Sequence, residues 1–313
     1  MKTIWSQPLR IETPNNIVHI TTRTANSALW FVNNPKLEER IYAFLAKYIE
    51  QYQAELYAFT LIGNHYHLLA RFPEGNMASF QRDFNARIAE SVRILVPEFR
   101  GGHLFSRRYA SQILDMEDTI EHYFLYTFLQ PVTSKLTARI SDYPGKSFLN
   151  DAASGRENKY KYFAYREYYK EKVKNKKARR SDYWREHTLK FERLPFYAHL
   201  SRQAYKEKIK KIVEKKRMAT LEEHKIKKGG KTLGYLTKAE LRKVKPGSYP
   251  KSTKKGRRTP IVLCFNPLAK KLLLEWYFLT YSAFRDAVES YKKGVFSISF
   301  PEGTYSPPGL APT

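Results

Sequence analysis

The sequence contains a single cysteine, Cys264, among its 313 residues. One cysteine cannot form an internal disulfide bond and cannot complete a cysteine-rich zinc site. We therefore expect a protein of a reducing, cytoplasmic compartment. The chain also lacks a long hydrophobic run, because its longest apolar stretch, residues 272–284, is interrupted by Glu275 and is too short to span a bilayer. The first twenty residues contain no unbroken apolar segment and do not resemble a signal peptide.

Acidic residues are scarce relative to basic ones: 30 Asp and Glu stand against 56 Lys and Arg, a formal net charge of +26. Residues 1–150 contain 16 basic and 14 acidic residues, whereas residues 151–313 contain the other 40 basic and 16 acidic residues. Binding of cations to nucleic-acid phosphates releases counterions and strengthens association. This distribution predicts a near-neutral catalytic unit joined to an extension that binds nucleic acid. A solvated basic surface, as on a ribosomal protein, is the alternative.

The first 145 residues alternate between strand and helix patterns. The predicted elements are a strand over 17–22, a helix over 37–52, strands over 57–62 and 66–72, a helix over 77–95, a strand over 109–114 and a helix over 115–130. We expect Asn76 to cap the second helix and Asp115 the third. The first six elements have the order of a ferredoxin-like split β-α-β unit, which predicts an α+β fold with an antiparallel sheet.

The residues after 145 differ in composition, and we divide the chain into three regions. Residues 1–145 are the expected catalytic domain, residues 146–260 a basic, mainly helical extension with a linker, and residues 261–313 a strand, a helix and a proline-rich tail. The tail contains too much proline and glycine to form a helix, so we expect it to be extended. The last helix has an apolar face that we expect in a core, formed by Leu268, Leu272, Trp276, Phe284 and Val288.

The strand after the Gly63-Asn64 turn carries two histidines, His65 and His67. Residues two apart in a strand point to the same face, so the two imidazoles project side by side and provide half of a metal site. A pair of buried, hydrogen-bonded histidines has the same pattern. His19, in the first strand, we interpret as a core histidine.

Tyr126 and Gln130 are four residues apart on the predicted third helix, so they share one of its faces. If this face packs against the histidine strand, Gln130 provides a third ligand and Tyr126 presents its hydroxyl beside the metal. The site would suit Mg²⁺ or Mn²⁺ and leave positions open for phosphate oxygens. Tyr126 would then attack phosphorus as a covalent nucleophile. Tyr123 is a competing nucleophile on nearly the same face, but it lacks the four-residue spacing to Gln130.

Four separated patterns over residues 17–136 resemble the HUH single-tyrosine transposases, and especially the REP-associated tyrosine transposases. The segment His65-Tyr66-His67 is similar to the histidine–hydrophobic–histidine signature of that family. The other three patterns are His19-Ile20-Thr21-Thr22-Arg23, the segment from Gly102-His103-Leu104-Phe105 to Arg108-Tyr109, and the stretch from Leu125 to Val132. They occur in the order and at the intervals that the family shows.

The resemblance implies cleavage and rejoining of single-stranded DNA near a hairpin, through a 5′-phosphotyrosine intermediate and a free 3′-hydroxyl. It supports Tyr126 as the catalytic residue and His65, His67 and Gln130 as metal ligands. The family usually has Asn before Pro-Val and a basic and a small residue after it, whereas this chain has Gln130 before Pro131-Val132 and no basic residue directly after them. The glutamine amide can bind a metal as asparagine does.

Several cations are candidates for contacts with DNA phosphates. Arg23 ends the first strand, and its alternative role is a surface salt bridge. His103, Arg107 and Arg108 precede the fourth strand, where a solvated surface is the alternative. In the extension, basic residues alternate with tyrosine and tryptophan, which is typical of single-strand binding surfaces but also of a helical core with solvated charges. The candidates there are Lys159, Lys161, Arg166, Arg179 and Arg180.

The sequence thus predicts a metal-dependent tyrosine DNA endonuclease and strand transferase, that is, a transposase. A regulator that binds DNA hairpins without cutting them, including a domesticated relative, is the main alternative. A basic RNA-binding protein would not need the histidines and the tyrosine. A replication initiator or relaxase would share the chemistry, but the sequence shows no helicase motif and no phosphate-binding loop. The expected partner is single-stranded or hairpin DNA and not a membrane. Monomers and homodimers both occur among related enzymes, so the sequence leaves the oligomeric state open.

Overall fold

The computed structural model describes residues 8–231, 233–250 and 260–306. Its N-terminal part consists of β1 (Ile17–Arg23), α1 (Pro35–Gln51), β2 (Glu55–Ile62), β3 (His65–Arg71), α2 (Met77–Leu95), β4 (Ala110–Leu114), α3 (Glu117–Phe128) and α4 (Gln130–Thr133). The strands form an antiparallel sheet in the order β2-β3-β1-β4. This is the ferredoxin-like arrangement, so the predicted fold class is confirmed.

The helices α1 and α2 pack together and cover one face of the sheet with a core of aromatic side chains. Phe59 of β2 and Phe80 and Phe84 of α2 are fully buried there. Successive residues of a strand point to opposite faces. Tyr66 of β3 therefore faces α2, where its hydroxyl donates to Gln81 Oε1 at 2.8 Å, and both neighbouring histidines face the other way.

The turn between β2 and β3 is packed too closely for any side chain at its first residue. A Cβ atom added to Gly63 would lie 2.7 Å from Cγ1 of Val32. The side chain of Asn34 caps α1 by accepting from the backbone N–H of Leu37 at 3.0 Å, and Pro35 occupies the first turn as expected. These contacts hold the hairpin and the start of α1 against each other.

Asn76 occupies the N-cap position of α2 as expected but does not cap it with its side chain, and the expected cap of α3 is wrong. Asn76 makes no capping bond to α2, because its side-chain amide donates instead to the Tyr52 carbonyl at 3.1 Å. Glu12 takes the capping role: its carboxylate accepts from the backbone N–H groups of Met77 and Ala78 at 3.1 and 2.8 Å. The third helix begins after Met116, not at Asp115, and no side chain caps it.

The region that follows contains a two-stranded sheet that the sequence patterns did not predict. Its elements are α5 (Leu149–Ser154), β5 (Asn158–Phe163), α6 (Tyr165–Lys174), β6 (Trp184–Leu189), α7 (Arg202–Ile226) and α8 (Lys238–Arg242). The antiparallel pair β5-β6 packs on α1. Helix α7 is 25 residues long, and α8 begins with a capping box formed by Thr237 and Glu240.

At the C-terminal end, β7 (Val262–Leu263) pairs in parallel with β4 as a fifth strand, and α9 (Pro267–Lys292) follows. The expected apolar face of α9 is wrong in part. Leu268 and Leu272 are exposed, whereas the buried residues are Tyr277, Ala287 and Tyr291. The expected linker lies partly, and the proline-rich tail from residue 307 onward wholly, outside the described residues.

The described part of the tail contains no helix and lies against the N-terminal segment. The Gly303 carbonyl accepts from the backbone N–H of Glu12 at 2.8 Å, and the Tyr305 hydroxyl donates to the Glu12 carboxylate at 3.1 Å. The two ends of the described chain thus meet at the start of α2. Within the described residues, no helix combines the length and hydrophobicity that a membrane span requires.

Candidate active site

The two motif histidines lie at the start of β3, on the sheet face opposite α2. His67 is the strand partner of Thr21, and His65 is the partner of Arg23. The centroids of the two imidazole rings are 4.9 Å apart, with the ring planes at 76°. Both side chains are buried, as the sequence pattern predicted for a pair on one face.

Helix α3 crosses this face and brings Tyr126 to the histidines of its own chain. The Tyr126 ring lies 5.5 Å from the His67 ring, at 90° to it. Gln130 begins α4 and is buried beside His65, and its Nε2 donates to the Tyr126 carbonyl at 3.3 Å. The structure therefore brings together His65, His67, Tyr126 and Gln130.

The hydrogen bonds of His65 determine which of its ring nitrogens is available. Its Nδ1 lies 2.6 Å from Oδ1 of Asn64, the preceding residue. An amide oxygen only accepts, so Nδ1 carries the proton and donates it to Asn64. In the neutral ring, Nε2 then keeps its lone pair and can bind a metal.

His67 is oriented in the same way by a chain of two hydrogen bonds. Gln112 Oε1 accepts from Nδ1 of His19 at 3.1 Å, so the His19 Nε2 of a neutral ring is an acceptor. That Nε2 lies 3.0 Å from Nδ1 of His67, which therefore donates to it and leaves Nε2 of His67 with a lone pair. The hydroxyl of Thr21 lies 3.1 Å from the same Nδ1. His19 and Asn64 thus have the same role: each accepts a hydrogen bond from the Nδ1 of one motif histidine.

Burial keeps all three histidines neutral. Burial lowers the pKa of His65 to about 3, and the positive charge of Arg23 also acts to lower it. It lowers the pKa of His19 to about 4 and holds the pKa of His67 well below its usual value. Neutral imidazole is the form that binds metal ions.

The donor set fits a divalent cation that prefers oxygen and nitrogen ligands. The part of the chain that the structure describes contains no group of three or more His, Cys, Asp or Glu able to hold a metal ion. The third ligand expected from the sequence is the amide of Gln130, whose Oε1 accepts from the Ser134 hydroxyl at 3.4 Å. Two imidazoles and one amide oxygen leave room for phosphate oxygens.

The competing tyrosine lies in the same site. The Tyr123 ring is 5.2 Å from the His19 ring and 5.7 Å from the Tyr126 ring. Burial raises the pKa of the Tyr123 hydroxyl, which disfavours its phenolate form. Tyr123 contacts His19, whereas Tyr126 contacts both His19 and His67.

Arg23 lies at the rim of the site. Its side chain is exposed as a whole. The surrounding protein still shields part of the guanidinium from water, which lowers the pKa of Arg23, whereas the nearby Tyr126 acts to raise it. The loop with His103, Arg107 and Arg108 reaches the same end of the sheet, because the Leu104 carbonyl accepts from the N–H of Ala25 at 2.7 Å.

The five candidate cations of the extension lie elsewhere, on the β5–α6–β6 unit that packs against α1. This unit is on the α1 and α2 side of the sheet, away from Tyr126. Lys159 and Lys161 both form ion pairs with Glu186 at 3.2 Å. Arg179 pairs with Asp182 at 3.5 Å, and the Arg180 guanidinium lies 5.0 Å from the Phe163 ring. Arg166 is exposed on α6.

The extension contacts the tyrosine helix α3 through the Tyr197 hydroxyl, which donates to Glu121. Helix α7 packs against α4, and Arg217 of α7 donates to the Ala138 carbonyl at 3.0 Å. Burial lowers the pKa of His122 of α3, and the positive charge of Lys216 acts in the same direction. The lysine content of α7 was visible in the sequence, but no local pattern indicated which face of the catalytic domain it would meet.

The sequence interpretation also missed His19, Gln112 and Asn64 as residues that orient His65 and His67. A signal for His19 existed. In a ferredoxin-like sheet β1 lies between β3 and β4, so a polar residue of β1 on the histidine face has neighbours on both strands. His19 is in fact the partner of Gln112 in β4.

Residues 13–126 match the protein family described as Transposase IS200 like. Over this segment the chain is similar to IS200-like transposases. The match includes both motif histidines and Tyr126, and it ends before Gln130 and the extension. The predicted relationship to single-tyrosine transposases is thereby confirmed. No functionally curated protein matches the chain.

Three solved structures are similar to part of this chain. A REP-associated tyrosine transposase bound to a REP hairpin is 16% identical, with a TM-score of 0.40 over 48% of this chain and 86% of that chain. A Deinococcus radiodurans protein described as a transposase is 18% identical, with a TM-score of 0.28 over 40% and 95%. The tRNA(His) guanylyltransferase of Saccharomyces cerevisiae is 11% identical, with a TM-score of 0.32 over 42% and 65%.

Proposed function

We propose that this chain is an IS200-like transposase that cuts and rejoins single-stranded DNA near hairpins, with Tyr126 as the nucleophile. The observation that carries the proposal is the approach of the Tyr126 ring to 5.5 Å from the ring of His67, inside a site with two neutral, oriented histidines. A buried structural histidine pair does not require a tyrosine on a separate helix to face it.

In the proposed reaction, the Tyr126 oxygen forms a bond to the phosphorus of the scissile phosphate. The bond from phosphorus to the 3′ oxygen breaks, and this oxygen takes up a proton and leaves as a free 3′-hydroxyl. The 5′-phosphate remains bound to the protein as a phosphotyrosine. Attack by another 3′-hydroxyl on the same phosphorus releases Tyr126 and joins the strands.

The proposed metal ligands are the Nε2 atoms of His65 and His67 and the amide oxygen of Gln130. A bound Mg²⁺ or Mn²⁺ would withdraw electron density from the phosphate and make phosphorus a better electrophile. Arg23 would neutralise part of the phosphate charge from the rim. The hydrogen bonds from His65 to Asn64 and from His67 to His19 keep both Nε2 atoms aimed into the site.

The experiment uses single-stranded hairpin DNA from the flanks of the protein's own gene, in Mn²⁺ or Mg²⁺. A label at the 3′ end is expected to migrate with the protein on a denaturing gel, because the proposed adduct retains the 3′ portion of the strand. A label at the 5′ end should appear on a shorter free fragment. Tyr126→Phe should reduce the adduct by roughly 1000-fold or more, since the nucleophilic oxygen is absent.

Tyr123→Phe is the matched control, because it removes a hydroxyl from the same helix and site. It should keep most of the adduct. Loss of the adduct in Tyr123→Phe but not in Tyr126→Phe would transfer the nucleophile to Tyr123. If the 5′-end label migrated with the protein and the 3′-end label appeared on the free fragment, the 5′-phosphotyrosine would be contradicted.

The second candidate function is a regulator that binds DNA hairpins in the cytoplasm without cutting them. The basic extension favours it, since most of the net charge lies outside the IS200-like segment. Tight, salt-sensitive binding of the flanking hairpins with no adduct in the native protein would support this regulator and contradict the nuclease.

A further inference from the structure

A cleft of about 310 Å³ lies between the catalytic domain and the extension, on the α1 and α2 side of the sheet. Residues of α1 and α2 form one wall, and residues 162–167, where β5 meets α6, form the other. Tyr126 lies on the opposite face. The cleft is therefore separate from the candidate active site.

The cleft contains cations without carboxylate partners. Its two acidic residues are already paired: Glu90 with Arg87 of α2, and Glu167 with Arg185 at 2.7 Å. Within the described ranges, the remaining three cations of the cleft, Arg40, Lys47 and Arg166, form no ion pair with a carboxylate at 4.0 Å or less. The charge of Glu90 acts on Arg40 without a direct ion pair, so among the described residues an anion would find three cations that no carboxylate contacts at 4.0 Å or less.

Arg40 is held firmly in this cleft. Its Nε donates to the hydroxyl of the buried Ser91 at 3.0 Å, and its guanidinium lies 5.2 Å from the Phe44 ring and 5.1 Å from the Tyr165 ring. Burial lowers its pKa. A partly buried guanidinium with its remaining N–H groups unpaired by carboxylate is a strong donor for phosphate.

The second cation lies beside aromatic rings as well. Lys47 Nζ is 5.3 Å from the Tyr162 ring and 5.4 Å from the Tyr48 ring. Both of these rings are buried, so the part-exposed Tyr165 is the ring proposed to contact a base. A cation beside an accessible aromatic ring is the combination found in single-strand nucleic-acid sites. The volume is at the lower limit for a small-molecule site, which suits one nucleotide and not a duplex.

We propose that this cleft binds one nucleotide of a DNA strand, with its phosphate between Arg40 and Lys47 and its base beside Tyr165. The inference rests on the proposed function for its choice of DNA as the polymer. It adds a second contact, on the other face of the sheet from Tyr126, built jointly by the catalytic domain and the extension. DNA held at both places would touch both faces of the molecule.

The test compares two double variants of equal charge. Arg40→Gln with Lys47→Gln removes the two cations proposed to hold the phosphate, and Lys227→Gln with Lys271→Gln removes two exposed cations that already pair with Glu223 and Glu275. Binding of a fluorescent hairpin DNA with single-stranded arms is measured by anisotropy from 50 to 200 mM NaCl. Thermal melting confirms that both variants fold.

The cleft variant should bind about tenfold more weakly, and the slope of log affinity against log salt should fall by about 1.4, since two phosphate contacts are lost. The control variant should change affinity less than threefold. Equal losses in both variants, or no loss in the cleft variant, would overturn the proposal. Millimolar mononucleotide is added as a competitor. If it displaces DNA from the native protein but not from the cleft variant, the cleft would be reassigned to free nucleotides.

The outcome is separable from that of the nuclease proposal. The native protein and the cleft variant are also assayed for the covalent adduct at saturating DNA, where adduct formation should be equal. A native protein that binds through the cleft but forms no adduct would contradict the nuclease and leave the cleft intact. If the native protein forms the adduct and the cleft variant binds DNA as tightly as the native protein does, the cleft proposal would be contradicted and the nuclease proposal would stand.

Discussion

The side chain of His19 touches neither DNA nor metal in the proposed mechanism, yet it determines the geometry of a metal ligand. Its Nε2 accepts from His67, and its own Nδ1 is fixed by Gln112. Hydrogen bonds of this kind to metal-binding histidines hold the ring orientation and the tautomer. His19 is therefore a positioning residue.

Replacing His19 with phenylalanine keeps most of the ring volume and removes the acceptor. His67 then retains only Thr21 as a partner for Nδ1. We expect Mn²⁺ affinity to fall by roughly 10- to 100-fold. The measurement is an EPR titration of free Mn²⁺ on the purified protein.

Two further variants separate positioning from packing. His19→Gln provides an amide oxygen near the position of Nε2 and should recover part of the affinity. His122→Phe, on α3 but outside the hydrogen-bonded chain, should bind Mn²⁺ as the native protein does. Native Mn²⁺ affinity in His19→Phe would show that His67 needs no such support.

At the scale of elements, the most unusual helix start is that of α2. A residue far away in the sequence, Glu12, provides the capping carboxylate, and it also accepts from Tyr305. Burial raises the pKa of Glu12, whereas its bonds to the helix N–H groups act to lower it. One side chain thus ties the N-terminal segment, α2 and the tail together.

Glu12→Ala removes this cap and should lower the free energy of unfolding by about 1–2 kcal/mol, because two N–H groups of α2 lose their acceptor. The value is measured by urea denaturation. Glu74→Ala, an exposed carboxylate just before α2, is the control and should change stability by less than about 0.5 kcal/mol. Equal stability of Glu12→Ala and the native protein would exclude the cap as a significant contribution.

The elements of the catalytic domain could be predicted because their signals are local. The β-branched run of β1, the Gly63-Asn64 turn and the apolar spacing of α1 and α2 each lie within one short window. The cap of α2 could not be predicted, since Glu12 is far from Met77 in the sequence. Asn76 is a good capping residue by type, but tertiary packing drew its amide to Tyr52.

The two histidines and Tyr126 could be predicted as candidates from spacing and from the family resemblance. Their support could not, because Gln112 reaches His19 only through strand pairing between β1 and β4. The pair β5-β6 was missed for a similar reason. Its residues alternate tyrosine with lysine, and the buried face, with Tyr160 and Tyr162, is apparent only when α1 covers it.

For the whole molecule, the three buried histidines make folding stability depend on pH. In the folded protein the pKa of His19 is about 4 and that of His65 about 3, whereas an exposed histidine titrates near 6.5. Below pH 6.5 the unfolded chain therefore binds protons that the folded protein does not. This contribution to stability is complete above pH 6.5 and decreases as the pH falls towards 4.

Metal-free protein should lose about 1.4 kcal/mol of unfolding free energy per histidine for each pH unit below 6.5. Thermal melts in EDTA between pH 5 and 6.5 measure the effect before most carboxylates titrate. As the pH falls through this interval, the melting temperature of His19→Phe should decrease less than that of the native protein. A melting temperature independent of pH in this interval would contradict the burial of neutral histidines.

The contact between Glu12 and Tyr305 has a consequence for how the protein is made. These two side chains are 293 residues apart in the sequence, and their hydrogen bond belongs to the packing at the start of α2. Closing so long a loop is entropically costly, and contacts of this range form late in folding. On the ribosome, the catalytic domain can assemble its sheet early, but the segment around Glu12 acquires its last partner only after residue 305 has left the exit tunnel. The joining of the segment around Glu12 to the tail therefore cannot precede the synthesis of residue 305.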